Sequence, residues 1–215
     1  MQVTDKIDTN IFNYVLSLVS GKKRKKVQSF FGDIDRKMSL YADVIVRLML
    51  CRKYNLRNED IVFEEGEFGK PFVKNVNDFH FNISHTRNGI AVAFADSPIG
   101  IDIEKIKQDD RLIAERFFVS DEFKYIYSSE QEQGKRFFEV WTKKEAYIKC
   151  LGKGLSMELN SFNVFDECNR LKYNEIYVDD YIISVFRDNV IEKTDFYKLN
   201  EEDFYRMTFG LKNVE

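Results

Sequence analysis

The sequence predicts an α+β fold of two similar α/β halves, residues 1–99 and 100–215. Three observations lead there. Helical periodicity dominates residues 10–54 and gives way to β-rich segments from residue 61. After a strand pattern at 99–104, helical patterns return over 110–151 and β-rich ones follow from 161. No Pro- or Ser-rich linker, repeat or low-complexity tract interrupts the chain. A length of 215 residues lies between one and two typical domains, and 20 Phe with 11 Tyr supply enough core to exclude disorder.

Each element has its own signal. Residues 10–19 (NIFNYVLSLV) read as an amphipathic helix with Asn10 as N-cap. Residues 33–54 form the longest helical pattern, with Leu40, Val44, Leu48 and Cys51 on one face. Residues 61–64, 79–83 and 90–95 are β-rich and bounded by turn residues, and Asn88-Gly89 reads as a hairpin turn. Residues 99–104 (IGIDIE) alternate as a strand. Helical patterns span 110–128, capped by Asp109 or Asp110, and 132–151, ended by Gly152 and Gly154. The tail reads as strands at FNVF (162–165), EIYVDD (175–180), YIISVF (181–186) and DFYKL (195–199), with a short acidic helix at 200–205.

Charge and composition exclude several classes. Lys+Arg 33 against Asp+Glu 36 leaves −3, unlike a chain that coats nucleic acid. The longest uncharged apolar run, 90–95, falls far short of the about 20 residues a membrane span needs. The N-terminus (MQVTDK) has no basic and apolar leader, so no secretory signal is expected. Cys51, Cys150 and Cys168 make neither a disulfide framework nor a zinc spacing and fit the reducing cytoplasm. The run of five cations from Lys22 to Lys26 reads either as a solvated helix face or as a phosphate-binding patch.

Four clusters carry candidate chemistry. In GIDIEK (100–105), Ile101 and Ile103 point to the core while Asp102 and Glu104 share the other face, with Cα atoms about 6.5–7 Å apart. That pair suits a hard divalent cation such as Mg²⁺, or else is a half-exposed strand with polar residues outward. In FFEVWTKKEAYIK (137–149), Trp141, Glu145 and Lys149 form one helical stripe, and Glu145 and Lys149 stand in the favourable order for an ion pair. Lys153 and Gly154 then leave the helix. FNISH (81–85) ends a strand on His85, a donor for a phosphate oxygen or an ordinary solvated histidine. GKP (69–71) is a turn presenting Lys70.

Together and in this order, GKP, FNISH, GIDIEK, RFF followed by an acidic residue (116–122) and WTKKEAYIKCLGKGLS (141–156) closely resemble the 4′-phosphopantetheinyl transferase superfamily, in its larger surfactin-synthetase-activating (Sfp-like) branch. The resemblance runs from about residue 22 to 165. It implies transfer of 4′-phosphopantetheine from coenzyme A to a serine of an apo acyl or peptidyl carrier protein, with adenosine 3′,5′-bisphosphate released. It implies two halves packed as a pseudo-dimer with the active site between them, and a monomer in the cytoplasm without nucleic-acid or membrane partners.

By the same resemblance, Asp102, Glu104 and Glu145 hold Mg²⁺. Glu145 acts as general base, and Lys149 neutralises charge on the transferred phosphate or leaving group. Whether Glu145, a metal-bound water or Lys149 takes the serine proton stays open. His85 with Lys23 and Lys26 is expected to bind the 3′-phosphate. Lys70 is expected to line the adenine and phosphate side with Ser84 assisting, and Lys153 to reach the pyrophosphate. Glu122 matches an acidic position near the metal. By the resemblance, an Arg that relatives carry on the first long helix falls at Met38 here, with Arg36 and Lys37 close by, a departure that bears on what this helix contributes to the phosphate site. The competing readings are another Mg²⁺ enzyme, such as a phosphohydrolase or nucleotidyltransferase, and a non-catalytic binding module.

Overall fold

Asp8, and not Asn10, caps the first helix, α1 (Thr9–Ser17): its carboxylate accepts from the amides of Asn10 and Ile11. This is seen in a computed structural model that describes residues 1–74, 76–191 and 193–211, with Leu155 described by its backbone alone. The basic run forms α2 (Gly21–Gln28), capped by Ser20. The long pattern becomes α3 (Asp33–Tyr54), which buries Leu40, Val44 and Leu48 and half-buries Cys51.

Two hairpins follow, β1 (Phe63–Glu65) with β2 (Pro71–Val73), and β3 (His80–Thr86) with β4 (Gly89–Ala95). Thr86 pairs with Gly89, so the second turn is Arg87-Asn88, one residue earlier than its Asn-Gly signal. Asn88 takes the left-handed φ of 63° there, a conformation asparagine tolerates.

β5 (Ile99–Lys105) lies at the predicted join and precedes the next helices. The expected helix at 110–128 is two, α4 (Arg111–Phe117), capped by Asp110, and α5 (Ser120–Tyr127). Phe118 and Val119 are extended between them. The Glu122 carboxylate accepts the Val119 amide at 3.0 Å and starts the new helix at the break. α6 (Gln133–Leu151) ends at Gly152, whose φ of 67° is a left-handed cap.

β6 (Tyr173–Val178) and β7 (Tyr181–Arg187) complete an antiparallel sheet of order β5-β7-β6. Residues 162–165 are not a strand. Their neighbourhood is claimed by side chains instead, since Lys144 donates to the Leu159 and Phe162 carbonyls and Glu122 accepts from the Val164 amide. Residues 195–199 join no sheet, and the acidic stretch extends into α7 (Glu201–Phe209), capped by Asn200.

α7 crosses back onto the N-terminal helices. Phe204 is fully buried with Leu40 and Tyr41. The Lys37 ammonium, also buried, reaches Glu201 at 2.5 Å and the carbonyls of Thr4 and Lys6 at 2.7 and 2.8 Å. A second apolar cluster spans the join between the predicted halves, uniting Ala91 and Ala93 of β4 with Ile101 and Ile103 of β5 and Ile183 and Val185 of β7. Gly100 brings β5 hard against α6: a Cβ there would lie 1.9 Å from the Ala146 carbonyl oxygen. No helix among the described residues is long and apolar enough to cross a membrane.

Candidate active site

Alternation along β5 puts Gly100, Asp102 and Glu104 on one face, and α6 covers that face. Strand alternation places Asp102 on the face away from Ile101 and Ile103, where solvent is expected. It is only 4% exposed, because α6 packs over it and β3 flanks it. β3 runs alongside β5 in the same direction and is tied to it by side chains. Asn82 Oδ1 accepts from the Ile101 amide at 2.9 Å, Ser84 Oγ donates to Asp102 Oδ1 at 2.7 Å, and Thr86 Oγ1 donates to Glu104 Oε2 at 2.9 Å. Asn82 and Thr86 were not singled out from the sequence. Their signal was the alternation Asn-x-Ser-x-Thr at 82–86, which lines one strand face with polar side chains.

The i, i+4 spacing on α6 brings Glu145 and Lys149 to the same place. Lys149 does not close the helical pair with Glu145. Its ammonium lies 2.5 Å from Asp102 Oδ1 and also donates to Ser84 Oγ at 3.1 Å. A carboxylate stripped of water gains more from a cation than a half-exposed one does. Trp141, the third member of the stripe, stacks on Phe137 at 6.1 Å and belongs to the aromatic core.

Burial raises the proton affinity of all three carboxyls, and the Asp102 charge adds to it at Glu104 and Glu145. Burial pushes Asp102 up, against the pull of Lys149 and Ser84. Burial and then the Asp102 charge push Glu104 up, and burial followed by Asp102 and Glu104 does the same to Glu145. Asp102 Oδ2 is buried without a hydrogen-bond partner. Among the described residues no group of three or more His, Cys, Asp or Glu already stands close enough to hold a metal. The Lys149 ammonium is the positive charge against Asp102 Oδ1.

A cleft of about 510 Å³ opens beside Glu145 and Lys149, walled by Arg116 and Phe117 of α4 and by Met157 and Leu159 after α6. The remaining predicted residues lie elsewhere. Ser84 is in the carboxylate group rather than on a phosphate side. His85, Lys26 and Lys153 are exposed. Lys23 is half-buried on α2, and burial pulls its ammonium down, opposed by Asp43 and helped by Lys26 and Arg47.

Lys70 is turned inward, onto the carbonyls of Ile99, Lys149 and Cys150. Met38 is a core residue at 5% exposure, while Arg36 goes to the Phe30 carbonyl and to Asp33. Glu122 corrects the expectation of an acid near a metal. It is fully buried, paired with Lys144 at 2.8 Å, and both its oxygens take backbone amides.

Comparison with known proteins agrees along the chain. The family model of the 4′-phosphopantetheinyl transferase superfamily matches residues 98–194, and that of the 4′-phosphopantetheinyl transferase N-terminal region matches residues 7–97. The chain is 40% identical over 163 residues to 4′-phosphopantetheinyl transferase gsp of Aneurinibacillus migulanus, covering 75% of this chain and 68% of that one. It is 42% identical over 150 residues to 4′-phosphopantetheinyl transferase Sfp of Bacillus subtilis, covering 69% and 67%. It is 43% identical over 145 residues to psf-1 of Bacillus pumilus, another 4′-phosphopantetheinyl transferase, covering 67% and 62%.

Proposed function

The chain belongs to the 4′-phosphopantetheinyl transferase superfamily, and on that premise we propose that it moves the 4′-phosphopantetheine group of coenzyme A onto a serine hydroxyl of an apo acyl or peptidyl carrier protein, releasing adenosine 3′,5′-bisphosphate. The observation that carries this reading is the meeting of Asp102 and Glu104 with Glu145 and Lys149 beside an open cleft.

Asp102, Glu104 and Glu145 would hold Mg²⁺. The fit rests on their hard oxygen donors and on Asp102 Oδ2, buried with a free acceptor. The ion would supply charge neutralisation at the pyrophosphate and on the leaving group. Glu145 takes the proton from the incoming serine, since burial and two neighbouring carboxylates make it more basic than an ordinary glutamate. Lys149, held within 2.5 Å of Asp102, offers its ammonium to charge on the transferred phosphate. Ser84 and Thr86 orient the β5 carboxylates.

Residues 1–99 are read as the coenzyme A side. His85, Lys23 and Lys26 receive the 3′-phosphate, and Lys153 the pyrophosphate. Residues 100–215 carry the chemistry and dock the carrier. The two halves as a pseudo-dimer with the site between them, acting as a cytoplasmic monomer, complete the reading.

Mass spectrometry of a panel of apo carriers incubated with coenzyme A and Mg²⁺ tests the function. Release of adenosine 3′,5′-bisphosphate without any carrier would favour a phosphohydrolase instead. Activity is expected to vanish in EDTA and return with Mg²⁺ or Mn²⁺, and Asp102→Asn is expected to lose nearly all turnover with an unchanged circular dichroism spectrum. Full activity of EDTA-treated protein would rule the metal out.

Phosphate recognition has its own test. The wild type is expected to prefer coenzyme A over its 3′-dephospho form. His85→Ala combined with Lys26→Ala should shrink that preference by about 1–3 kcal/mol, the worth of charge-assisted hydrogen bonds. An unchanged preference would return the basic run to a solvated face.

A further inference from the structure

Lys70 stands in a turn whose match to the family implies contact with the adenine and phosphate side of coenzyme A. Its surroundings assign it other work. The ammonium has three N–H donors, and three carbonyls receive them: Lys149 at 2.7 Å, Ile99 at 2.9 Å and Cys150 at 3.2 Å. No donor is left over for a phosphate.

The acceptors are not arbitrary. Lys149 and Cys150 lie in the last turn of α6, where helix carbonyls lack intrahelical partners and the helix dipole favours a cation. Ile99 is the first residue of β5. One ammonium thus joins the end of the helix bearing Glu145 and Lys149 to the start of the strand bearing Asp102. The same junction is where Gly100 lets the two elements touch, a Cβ there lying 2.4 Å from the Cys150 amide. Gly69 precedes Lys70 at a left-handed φ of 78°, and the Lys70 stem lies within ordinary contact of the Gly152 cap, 3.6 Å from a Cβ built there. The turn, the strand start and the helix end form one unit around this side chain. With a methylene chain in its place, three carbonyls would lose their donor, and the last turn of α6 would be free to move relative to β5.

We propose that Lys70 is a positioning residue for Lys149: by pinning the last turn of α6 to the first residue of β5, it sets the Lys149 ammonium against Asp102 and the reacting phosphate. The proposal rests on the transferase reading, because it gives Lys149 a role in turnover. Wild-type transfer to an apo carrier, measured in the same assay, reports on that reading separately.

The test compares Lys70→Met and Lys70→Arg with wild type in carrier modification, and measures adenosine 3′,5′-bisphosphate binding by calorimetry. For Lys70→Met we expect kcat to fall about 10-fold or more, as small misplacements of a reacting group do, with the Kd of the bisphosphate changed by less than about threefold. Lys70→Arg, which keeps several donors, should recover most of the turnover. Lys149→Ala should cost little more in the Lys70→Met background than the larger of the two single losses, because the one residue acts through the other.

A bisphosphate Kd weakened about 10-fold or more would make Lys70 a direct ligand and overturn the proposal. So would normal kcat with only a lower Tm, or fully additive losses in the double variant. If Lys70→Met does not fold, the wild type still decides. Its Lys70 ammonium, held by three carbonyls, should give a slowly exchanging ¹⁵N signal that adenosine 3′,5′-bisphosphate leaves in place, whatever Lys23 and Lys26 do. A shift of that signal on binding would refute the assignment.

Discussion

Glu145→Gln is expected to lower kcat by about 10²–10⁴ while leaving the affinity for Mg²⁺ and coenzyme A within a few-fold. Glutamine keeps the size of the side chain and one oxygen donor but abolishes basicity. The position favours a base: Glu145 is half-buried, and burial, Asp102 and Glu104 together hold its carboxyl above the usual glutamate range. It also borders the cleft through which a serine would arrive. Calorimetric titration of coenzyme A at several Mg²⁺ concentrations, beside single-turnover kinetics, separates its two roles. Strongly weakened coenzyme A binding, with the rate rescued by raised Mg²⁺, would make Glu145 chiefly a ligand. Near-normal kcat with near-normal binding would remove both roles and leave Lys149 or a metal-bound water as the base.

Lys144→Met is expected to destabilise the protein by about 3–5 kcal/mol, read as a lower midpoint in urea or heat. Lys144 and Glu122 both have side chains at 0% exposure and meet at 2.8 Å. Removing the ammonium strands the Glu122 carboxylate in the interior. It also unpairs the carbonyls of Leu159 and Phe162, which Lys144 holds at 2.7 and 2.8 Å. The lost packing of the ammonium over the Phe162 ring, 4.3 Å from its centroid, adds to the cost. Replacing both partners, by adding Glu122→Leu, should not double the loss, since no lone charge remains. It will still exceed zero, because the Val119 and Val164 amides lose the oxygens they donate to. A loss below about 1 kcal/mol for Lys144→Met would mean that water reaches the pair in solution.

The basic run forms α2 on the surface beside α3. As a helix of eight residues it buries only Val27, the bland outcome that five consecutive cations allow. Lys23 departs from that, half-buried against α3 with Asp43 and Arg47 as its charged neighbours. α2 therefore offers both a solvated face and one partly enclosed lysine, and the 3′-dephospho comparison tests whether the run recognises a phosphate at all.

The sequence by itself determined which side chains share a face within the site's strand and helix. Period-2 alternation in GIDIEK grouped Asp102 with Glu104, and the i, i+4 spacing grouped Glu145 with Lys149, because those geometries depend on nothing beyond the local backbone. It also determined the family, since the spacing of five motifs carries more information than any one of them. Two of its local misses, the break between α4 and α5 and the strand absent at 162–165, trace to one buried ion pair whose partners are 22 residues apart and whose atoms capture the backbone. Only the tertiary structure decided what covers each face. It buried Asp102, gave it Lys149 in place of solvent, threaded Asn82, Ser84 and Thr86 along β5, and turned Lys70 inward. Periodicity says which side chains share a surface. The partner of a charge on that surface is chosen by desolvation and distance, which exist only once distant segments have packed.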